Sequence, residues 1–143
     1  MGFDYCFACG KDNPHGLHMH FERDGDGVVC HFQTQEHHIG WPNVQHGGIT
    51  CTLLDEASAY VPFFMGLVTV TAELNISFKK PVHVGERLRV WARPTKVSSR
   101  LLVVEAAVEG EDGELKASST AKMMVLSTEK QKQLGMEGLE TRG

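Results

Sequence analysis

One long helical pattern in the middle of the chain limits the folds that this sequence can adopt. Across residues 49–64, apolar side chains recur at spacings of three and four, and further apolar residues widen the stripe beyond one face. A helix with this pattern is buried on several sides. Pro62 lies inside it and is expected to bend or end the helix, because proline supplies no amide donor. The remaining chain must therefore wrap around one central helix.

The segment after this helix predicts a strand with two different faces. In residues 69–78, apolar side chains such as Val70, Ala72 and Leu74 alternate with polar ones such as Thr71. A period of two is typical of a strand that has one face on the core and one in solvent. We therefore expect the apolar set to face the helix.

Other short segments predict the rest of a sheet. Residues 87–93, 101–109 and 115–126 read as strands, the last two joined by a Gly-Glu-Asp-Gly turn. Before the helix, residues 17–22 and 28–33 form a predicted hairpin around two Asp-Gly pairs. We expect an α+β domain in which one antiparallel sheet wraps the helix, with the strands after the helix arranged as a consecutive meander.

Composition predicts one domain with flanking segments. The 143 residues are 41% hydrophobic, which is enough for one well-packed core and too little for two. Residues 1–16 are rich in turn-forming residues and predict a leader or flap, and residues 17–126 hold the predicted domain. Residues 127–143 form a polar tail with at most one short helix.

Charge and cysteine usage narrow the function classes. Fourteen Lys and Arg against 18 Asp and Glu give a net charge of −4, so no basic excess favours a nucleic-acid partner. No apolar run reaches the roughly 18 residues of a membrane helix, and the first residues do not resemble a signal peptide. Cys30 and Cys51 are expected in the core. We expect a cytoplasmic protein with free thiols and no membrane partner.

Cysteines and histidines near the N-terminus raise the question of a metal site. Cys6 and Cys9, with His15, His18 and His20, have the ligand types of a zinc site but no firm second pair. We therefore expect no bound metal and a leader that packs its small thiols. A small zinc-dependent protein built on this cluster is the alternative.

The residues with the most chemical information lie on the helix. His46, Gly47 and Gly48 stand at its start, where glycines leave backbone amides open to a ligand and the helix dipole favours developing negative charge. Asp55 lies further along, in mostly apolar surroundings, where a carboxylate is costly unless it is hydrogen-bonded or faces a cleft. Together they predict an oxyanion site and a base or nucleophile. Glu56 points elsewhere and is expected to be structural or interfacial.

The spacing of these residues has a further consequence. Eight helical steps separate Gly47 from Asp55, a distance of about 12 Å at 1.5 Å per residue. One substrate carbonyl cannot touch both. If both act on the same carbonyl, Gly47 of one chain must face Asp55 of another, which requires a symmetric dimer with two equivalent sites.

Several motifs follow one another in a recognisable order. They are His46-Gly47-Gly48-Ile49, Leu53-Leu54-Asp55-Glu56-Ala57, Val70-Thr71-Ala72-Glu73-Leu74 and Lys80-Pro81-Val82-His83-Val84-Gly85, preceded by Cys6-Phe7-Ala8-Cys9-Gly10. This order resembles hotdog-fold acyl-CoA thioesterases of the phenylacetic-acid-degradation type, over residues 6–126. The resemblance implies an antiparallel sheet around a long helix. It also implies hydrolysis of acyl-CoA thioesters to free acid and coenzyme A, without a cofactor.

The resemblance also implies a role for each matching residue. The Gly47 amide polarises the thioester carbonyl, and Asp55 of the partner chain acts as nucleophile or as general base on water. Thr71 orients the water or the carboxylate. His46 lines the site and helps to hold the loop before the helix.

Substrate-binding residues are expected around this centre. The family often has asparagine six residues before the histidine, where this sequence has Gly40, so Asn43 or His38 is a candidate for the missing polar contact. His37 and His38 are expected at the mouth of the site. The full substrate-binding set is Gly48, Gly40, Asn43, Lys79, Lys80 and Arg100, the last three for the coenzyme A phosphates. The expected acyl pocket is lined by Val61, Phe63, Phe64 and Met65.

Alternatives to this function stay open from the sequence. A non-hydrolytic acyl-CoA binding or sensing module could use the same fold, although Asp55 argues against it. A carrier-protein thioester could replace the CoA thioester, and the dimer could pair again into a tetramer. A hotdog dehydratase is disfavoured because the Asp and His dyad of such enzymes is not visible in one motif.

Overall fold

A computed structural model describes residues 4–136. In chain order the elements are β1 (Glu22–Asp24), β2 (Gly27–Gln33), a single 3-10 turn (Glu36–His38), α1 (Gly47–Phe64), β3 (Thr69–Phe78), β4 (Arg87–Val97), β5 (Leu101–Glu109), β6 (Leu115–Val125) and α2 (Thr128–Gln133). The predicted central helix and the strands on both sides of it are present. Neither α-helix in the described part of the chain has the length and apolar character needed to cross a membrane.

The central helix α1 forms the middle of the core. Leu53, Leu54, Ala57 and Val61 are buried along it, and strands β2 to β6 pack around it. Pro62 lies in the last turn, and the helix ends two residues later at Phe64. Proline was expected to bend or end the helix, and the helix ends within one turn after it.

The sheet order is β1-β2-β4-β5-β6-β3, and every neighbouring pair is antiparallel. Strands β4, β5 and β6 form the expected meander. The prediction was wrong for β3, which pairs with β6 at the edge instead of with β4. Sequential adjacency of strands is a tendency only. Residues 79–86 can reach about 26 Å, enough to cross the roughly 14 Å that three strand spacings require.

The predicted hairpin is partly correct. Its second strand, β2, is where expected, and its turn lies at Gly25, which adopts φ +61°. The first strand was misplaced, because residues 17–21 lie outside the sheet although Leu17, Met19 and Phe21 are buried. Their backbone amides donate to the leader at two points, Leu17 N to Phe7 O and Met19 N to Ala8 O. The alternating pattern there reflects burial against the leader.

Other boundaries moved slightly. Strand β4 continues past its predicted end to Val97, with a register irregularity between Pro94 and Lys96 where proline interrupts the ladder. Strand β6 stops at Val125, one residue early. The short helix expected in the tail is α2, and residues 137–143 of that tail lie outside the described part of the chain.

Candidate active site

The start of α1 leaves one backbone amide open. The imidazole Nδ1 of His46 caps the helix by accepting from Gly48 N at 2.8 Å, and His46 O accepts from the amides of Ile49 and Thr50. Among residues 4–136, no acceptor is hydrogen-bonded to Gly47 N. Gly47 is therefore the open donor of the predicted oxyanion site, whereas the Gly48 amide is already occupied.

The loop before α1 is packed against this cap. A Cβ atom at Gly40 would lie 3.2 Å from both Cα and Cδ2 of His46, so glycine permits the close approach. Gly40 N donates to Val44 O at 2.9 Å and closes the loop. Asn43 lies on the same loop with φ +63°, and its carbonyl accepts from Val84 N at 3.2 Å. Gly40 and Asn43 thus shape the loop that carries His46.

His38 lies inside this loop. Its ring is buried beside Phe32, at a centroid distance of 5.2 Å, so the expectation that it lines the mouth of the site was wrong. Burial, with a smaller contribution from the charge of His37, lowers the pKa of His38. Its Nδ1 accepts from Gln35 N at 3.1 Å, an arrangement that requires a neutral ring. Its carbonyl accepts from His46 N at 2.8 Å and ties the loop to the helix cap.

Asp55 is held by the residue that the sequence analysis paired with it. Thr71 Oγ1 donates to Asp55 Oδ1 at 2.8 Å, across 16 residues of chain. Asp55 is half-buried on α1, and Thr71 is exposed on β3. A hydroxyl donor at this distance fixes one carboxylate oxygen and leaves the other available.

A β-bulge in β3 makes this contact possible. Thr71 pairs with Met123 on β6, but Glu73 pairs with Lys122, so Ala72 is an extra residue in the ladder. Paired residues share a face, and Met123 is buried against the core. Thr71 therefore faces α1, which simple alternation did not predict. The expectation that Val70 and Ala72 share the core face with Leu74 was wrong for the same reason.

Cys51 lies between the two parts of the helix site. It is four residues from Gly47 and four from Asp55, a spacing that places all three along one stripe of α1. It is half-buried, and burial together with the nearby Asp55 charge raises the pKa of its thiol. Cys30 is fully in the core, where burial raises its pKa to about 11. The prediction of a core position holds for Cys30 and only in part for Cys51.

The amide of Gly47 and the carboxylate of Asp55 face different surroundings. Gly47 lines a cavity of about 260 Å³ with Phe78, Lys79 and Lys80. Both residues lie on one continuous helix, so their separation stays near 12 Å. The Phe78 ring comes within 3.7 Å of the position that a Gly47 Cβ would take. Phe78 ends the apolar alternation of β3, a signal that did not mark it as part of the site.

Three lysines line the cavity beside Gly47. Lys80 is 3.3 Å from Glu114, whereas Lys79 has no ion-pair partner within the described residues. Lys116 also lines the cavity, and its Nζ is 3.1 Å from Glu86. Burial acts to lower the pKa of Lys116, but its carboxylate neighbours outweigh burial and raise it.

Arg100 lies apart from the two lysines. It precedes β5, and its carbonyl accepts from Val125 N at 2.9 Å, at the end of the sheet where β3 begins. Lys79 and Lys80 follow the other end of β3. Within one chain, the structure therefore does not bring the three expected phosphate ligands together.

A second cavity, of about 240 Å³, lies beside the C-terminal half of α1. Its lining is mainly apolar and consists of Cys6, Cys9, Glu56, Ala59, Tyr60, Phe63, Leu67, Val68, Thr69 and Met136. Of the expected acyl-pocket residues, Phe63 lines it. Val61 and Phe64 are buried in the core, and Met65 is exposed beyond the helix end. Residues 57, 61 and 64 lie on the side of α1 that faces the core, whereas residue 63 lies on the side that faces the cavity.

Cys6, Cys9 and Glu56 meet at this cavity. Their ligand atoms lie within 4.8 Å of one another, and the Cys6 thiol donates to Glu56 Oε2 at 3.3 Å. Burial and the neighbouring Glu56 raise the pKa of Cys9 well above its usual range. No histidine belongs to this or another metal-capable group in residues 4–136. His18, for example, is bound through Nε2 to Asn13 O at 2.7 Å.

The fold and this site define the class of protein. A long helix wrapped by an antiparallel sheet is the hotdog fold, as the resemblance implied. A family model described as "Thioesterase superfamily" matches residues 43–117, which is more than half of the chain. The chain belongs to the thioesterase superfamily.

A curated relative agrees with this family. The acyl-coenzyme A thioesterase THEM4 of Rattus norvegicus is 31% identical over 131 residues, which are 91% of this chain and 51% of that protein. The chain spans about half the length of the curated relatives it matches.

Two solved structures show the same fold. They are variants of a hypothetical thioesterase protein of Streptococcus pneumoniae, one with a threonine and one with an aspartate replaced by alanine, 16 positions apart. Each is 22% identical to this chain with a TM-score of 0.72, and each covers 76% of this chain, matching 90% and 91% of the respective neighbour.

Proposed function

We propose that this protein hydrolyses acyl-CoA thioesters to a free acid and coenzyme A, in sites that two copies of the chain share. The observation that carries the proposal is the 2.8 Å hydrogen bond from Thr71 to Asp55, on the same helix as the open Gly47 amide. An oriented carboxylate and an open donor are the two groups that thioester hydrolysis requires.

The reaction uses these groups in order. The thioester carbonyl oxygen accepts a hydrogen bond from Gly47 N–H, and the positive end of the α1 dipole stabilises the negative charge that develops there. Asp55 either attacks the carbonyl carbon or removes a proton from an attacking water. The tetrahedral intermediate then collapses, the carbon–sulfur bond breaks, and the coenzyme A thiolate leaves with the electron pair. With Asp55 as base, this step gives the free acid directly, and the thiolate takes up the proton that Asp55 removed from water. With Asp55 as nucleophile, it gives a mixed anhydride between the acyl group and Asp55, which water then cleaves to the free acid and the Asp55 carboxylate, releasing the proton that the thiolate takes up.

The 12 Å between the two groups requires a second chain. Strand β3 lies at the edge of the sheet, and its Phe78 side chain is 59% exposed. Antiparallel pairing of two β3 edges runs Thr71 of one chain toward the Phe78 end of the other. Because Phe78 contacts the Gly47 position, this pairing brings the open amide of one copy toward Asp55 of the other.

The same arrangement accounts for the separated basic residues. Arg100 lies near the start of β3, on the Asp55 side of a shared site, and Lys79 and Lys80 lie on the Gly47 side. Two chains would bring all three to one site, where they would hold the coenzyme A phosphates. Lys80 is paired with Glu114, whereas neither Lys79 nor Arg100 has an ion-pair partner in the described residues, so these two are the freer to bind phosphate.

The comparisons support the proposal from two directions. The rat relative is named as an acyl-coenzyme A thioesterase. In the Streptococcus protein, the aspartate and threonine chosen for replacement have the same separation as Asp55 and Thr71.

A single substitution tests the activity. We expect Asp55→Asn to lower kcat for a panel of acyl-CoAs by about 10²- to 10⁴-fold, because the amide can serve neither as base nor as nucleophile. Release of coenzyme A is followed with a thiol-trapping dye. Asp26→Asn, in the exposed β1–β2 turn, is the matched control. Equal turnover by Asp55→Asn and the native chain would overturn the proposal.

The same experiment separates the alternatives. Tight binding of acyl-CoA by calorimetry with no turnover in the native chain would assign a binding or sensing module instead. Turnover of acyl-carrier-protein thioesters, with none of acyl-CoAs, would keep the hydrolase and change its substrate.

A further inference from the structure

The leader contains a tight turn, formed by residues 6–10, that the proposed thioesterase chemistry does not use. Cys9 N donates to Cys6 Sγ at 3.4 Å, and Gly10 N donates to Cys6 O at 2.9 Å, so the Cys-x-x-Cys-Gly segment folds back on itself. A Cβ atom at Gly10 would lie 2.5 Å from Cys6 N and from Asp4 O. Only glycine fits there. The backbone therefore holds both thiols on one side of a tight turn.

Glu56 completes this group from the helix. It is half-buried on α1, its Oε2 lies 3.3 Å from Cys6 Sγ, and no lysine, arginine or histidine of the described chain forms an ion pair with it. A half-buried carboxylate gains little from a thiol compared with a cation. The three side chains thus form an acidic, sulfur-rich group that lacks a positive partner.

The geometry matches that of a thiophilic metal ion. Tetrahedral zinc with Zn–S bonds of about 2.3 Å places its sulfur ligands about 3.8 Å apart. The three ligand atoms here all lie within 4.8 Å of one another, so small side-chain rotations would bring them to one centre. Two sulfurs and one carboxylate favour zinc over magnesium or calcium, which prefer oxygen ligands.

We propose that Cys6, Cys9 and Glu56 bind a thiophilic divalent cation of the zinc type. The ion pins the leader to α1, since two ligands come from residues 6–9 and the third from the middle of the helix. The adjoining 240 Å³ cavity leaves room for water as a fourth ligand. The site contains no histidine, in contrast to the alternative suggested by the sequence.

Metal titration of the full chain tests this site. The protein is stripped with a chelator under a phosphine reductant and titrated with Co²⁺, followed by Zn²⁺. We expect a thiolate-to-cobalt charge-transfer band and tetrahedral d–d bands that saturate at one ion per chain and disappear on adding zinc. Zinc should also raise Tm, since an ion that binds the folded state stabilises it.

Variants identify the ligands. Cys6→Ser and Cys9→Ser should each abolish the charge-transfer band, and Glu56→Gln should weaken cobalt binding by about 10-fold or more. Cys51→Ala removes another half-buried thiol, outside the group, and should leave the titration unchanged. Circular dichroism checks that each variant is folded.

Two results would overturn the site. One is the absence of a charge-transfer band at saturating cobalt in the reduced, folded native chain. The other is an unchanged cobalt titration in folded Cys9→Ser, which would place the ion elsewhere. None of these readouts depends on thioester hydrolysis, so this proposal and the proposed function can fail separately.

Discussion

Two small details of side-chain chemistry define the candidate active site. The His46 ring accepts a hydrogen bond from the Gly48 amide, so the Gly48 donor is occupied and the Gly47 donor stays open. Thr71 binds one oxygen of Asp55 and sets the direction of the other. Residue types and spacing predicted the residues at the helix start and Asp55, and the family resemblance implied Thr71. Neither indicated which amide is open or which carboxylate oxygen is bound, because both depend on atomic contacts.

The Thr71 hydroxyl is expected to act by positioning Asp55. Thr71→Val keeps the shape of the side chain and removes a hydrogen bond to a charged group, a contact that contributes about 1.5–3 kcal/mol. We expect kcat to fall by about 10- to 100-fold, with a smaller change in KM. Thr120→Val, which removes an exposed hydroxyl on β6, is the control. An unchanged kcat would show that the Thr71 hydroxyl does not position Asp55 for catalysis.

His38 is expected to make the stability of the folded chain sensitive to acid. Its pKa is lowered in the folded state, so the unfolded chain binds a proton first as pH falls. The free energy of unfolding should therefore decrease as pH drops below about 6.5 and level off once folded His38 is also protonated.

Denaturant unfolding between about pH 7.5 and pH 5 measures this effect. His38→Gln should flatten the pH dependence, whereas His31→Gln, at an exposed position on β2, should not. A His38→Gln protein with the native pH profile would contradict the assignment.

Among the elements, β3 shows where sequence patterns stop being sufficient. Its limits at Thr69 and Phe78 were predicted, and so was the long helix that precedes it. Its place at the sheet edge and its bulge at Ala72 were not. Alternation of apolar and polar residues indicates that a segment is a strand with two different faces. Partner choice and an extra residue in the ladder depend on β6, whose residues lie 39 to 56 positions after their partners in β3.

Deleting Ala72 tests the pairing of β3 with β6. Without the extra residue, Thr71 stays opposite Met123 and Glu73 stays opposite Lys122 in a regular ladder, so the Thr71 side chain still faces α1. We expect a folded protein that keeps most of its kcat, in contrast to Thr71→Val, measured by the same thiol-trapping assay. A folded deletion variant that loses as much activity as Thr71→Val would contradict this pairing.

At the scale of the whole molecule, the proposed dimer means that one chain carries the two halves of two different sites. The open amide and the carboxylate are two helical turns apart, and the β3 edge offers unpaired backbone groups to a second copy. The proposed dimer accounts for both observations. It also makes a prediction that a site within one chain would not make.

Mixing two inactive variants tests the shared site. Gly47→Pro removes the open amide, and proline is tolerated at the first position of a helix. His46 already has φ −59° and ψ 135°, which suits a residue before proline. Co-refolding Gly47→Pro with Asp55→Asn in equal amounts forms mixed dimers that hold one intact site. We expect up to about a quarter of native activity, since about half of the dimers are mixed.

The control mixture contains each variant refolded with itself and combined afterwards without exchange. No recovery in mixed dimers of confirmed composition would rule out a site shared between Gly47 and Asp55 of different chains. Gly47→Ala retains the amide, and its Cβ meets only the Phe78 ring at ordinary contact distance, so it checks that the site tolerates a side chain there.

The sequence by itself determined the central helix and most of the strands, and it marked Gly47 and Asp55 as site candidates. These follow from local periodicity and from chemistry that each residue carries wherever it lies, whereas the role of Thr71 came from the family resemblance. Only the tertiary structure decided that β3 lies at the edge, that Thr71 turns toward Asp55, and that Glu56 meets Cys6 and Cys9. Those contacts join residues 16 to 56 positions apart, and such contacts are set by packing of the whole domain, not by any local pattern.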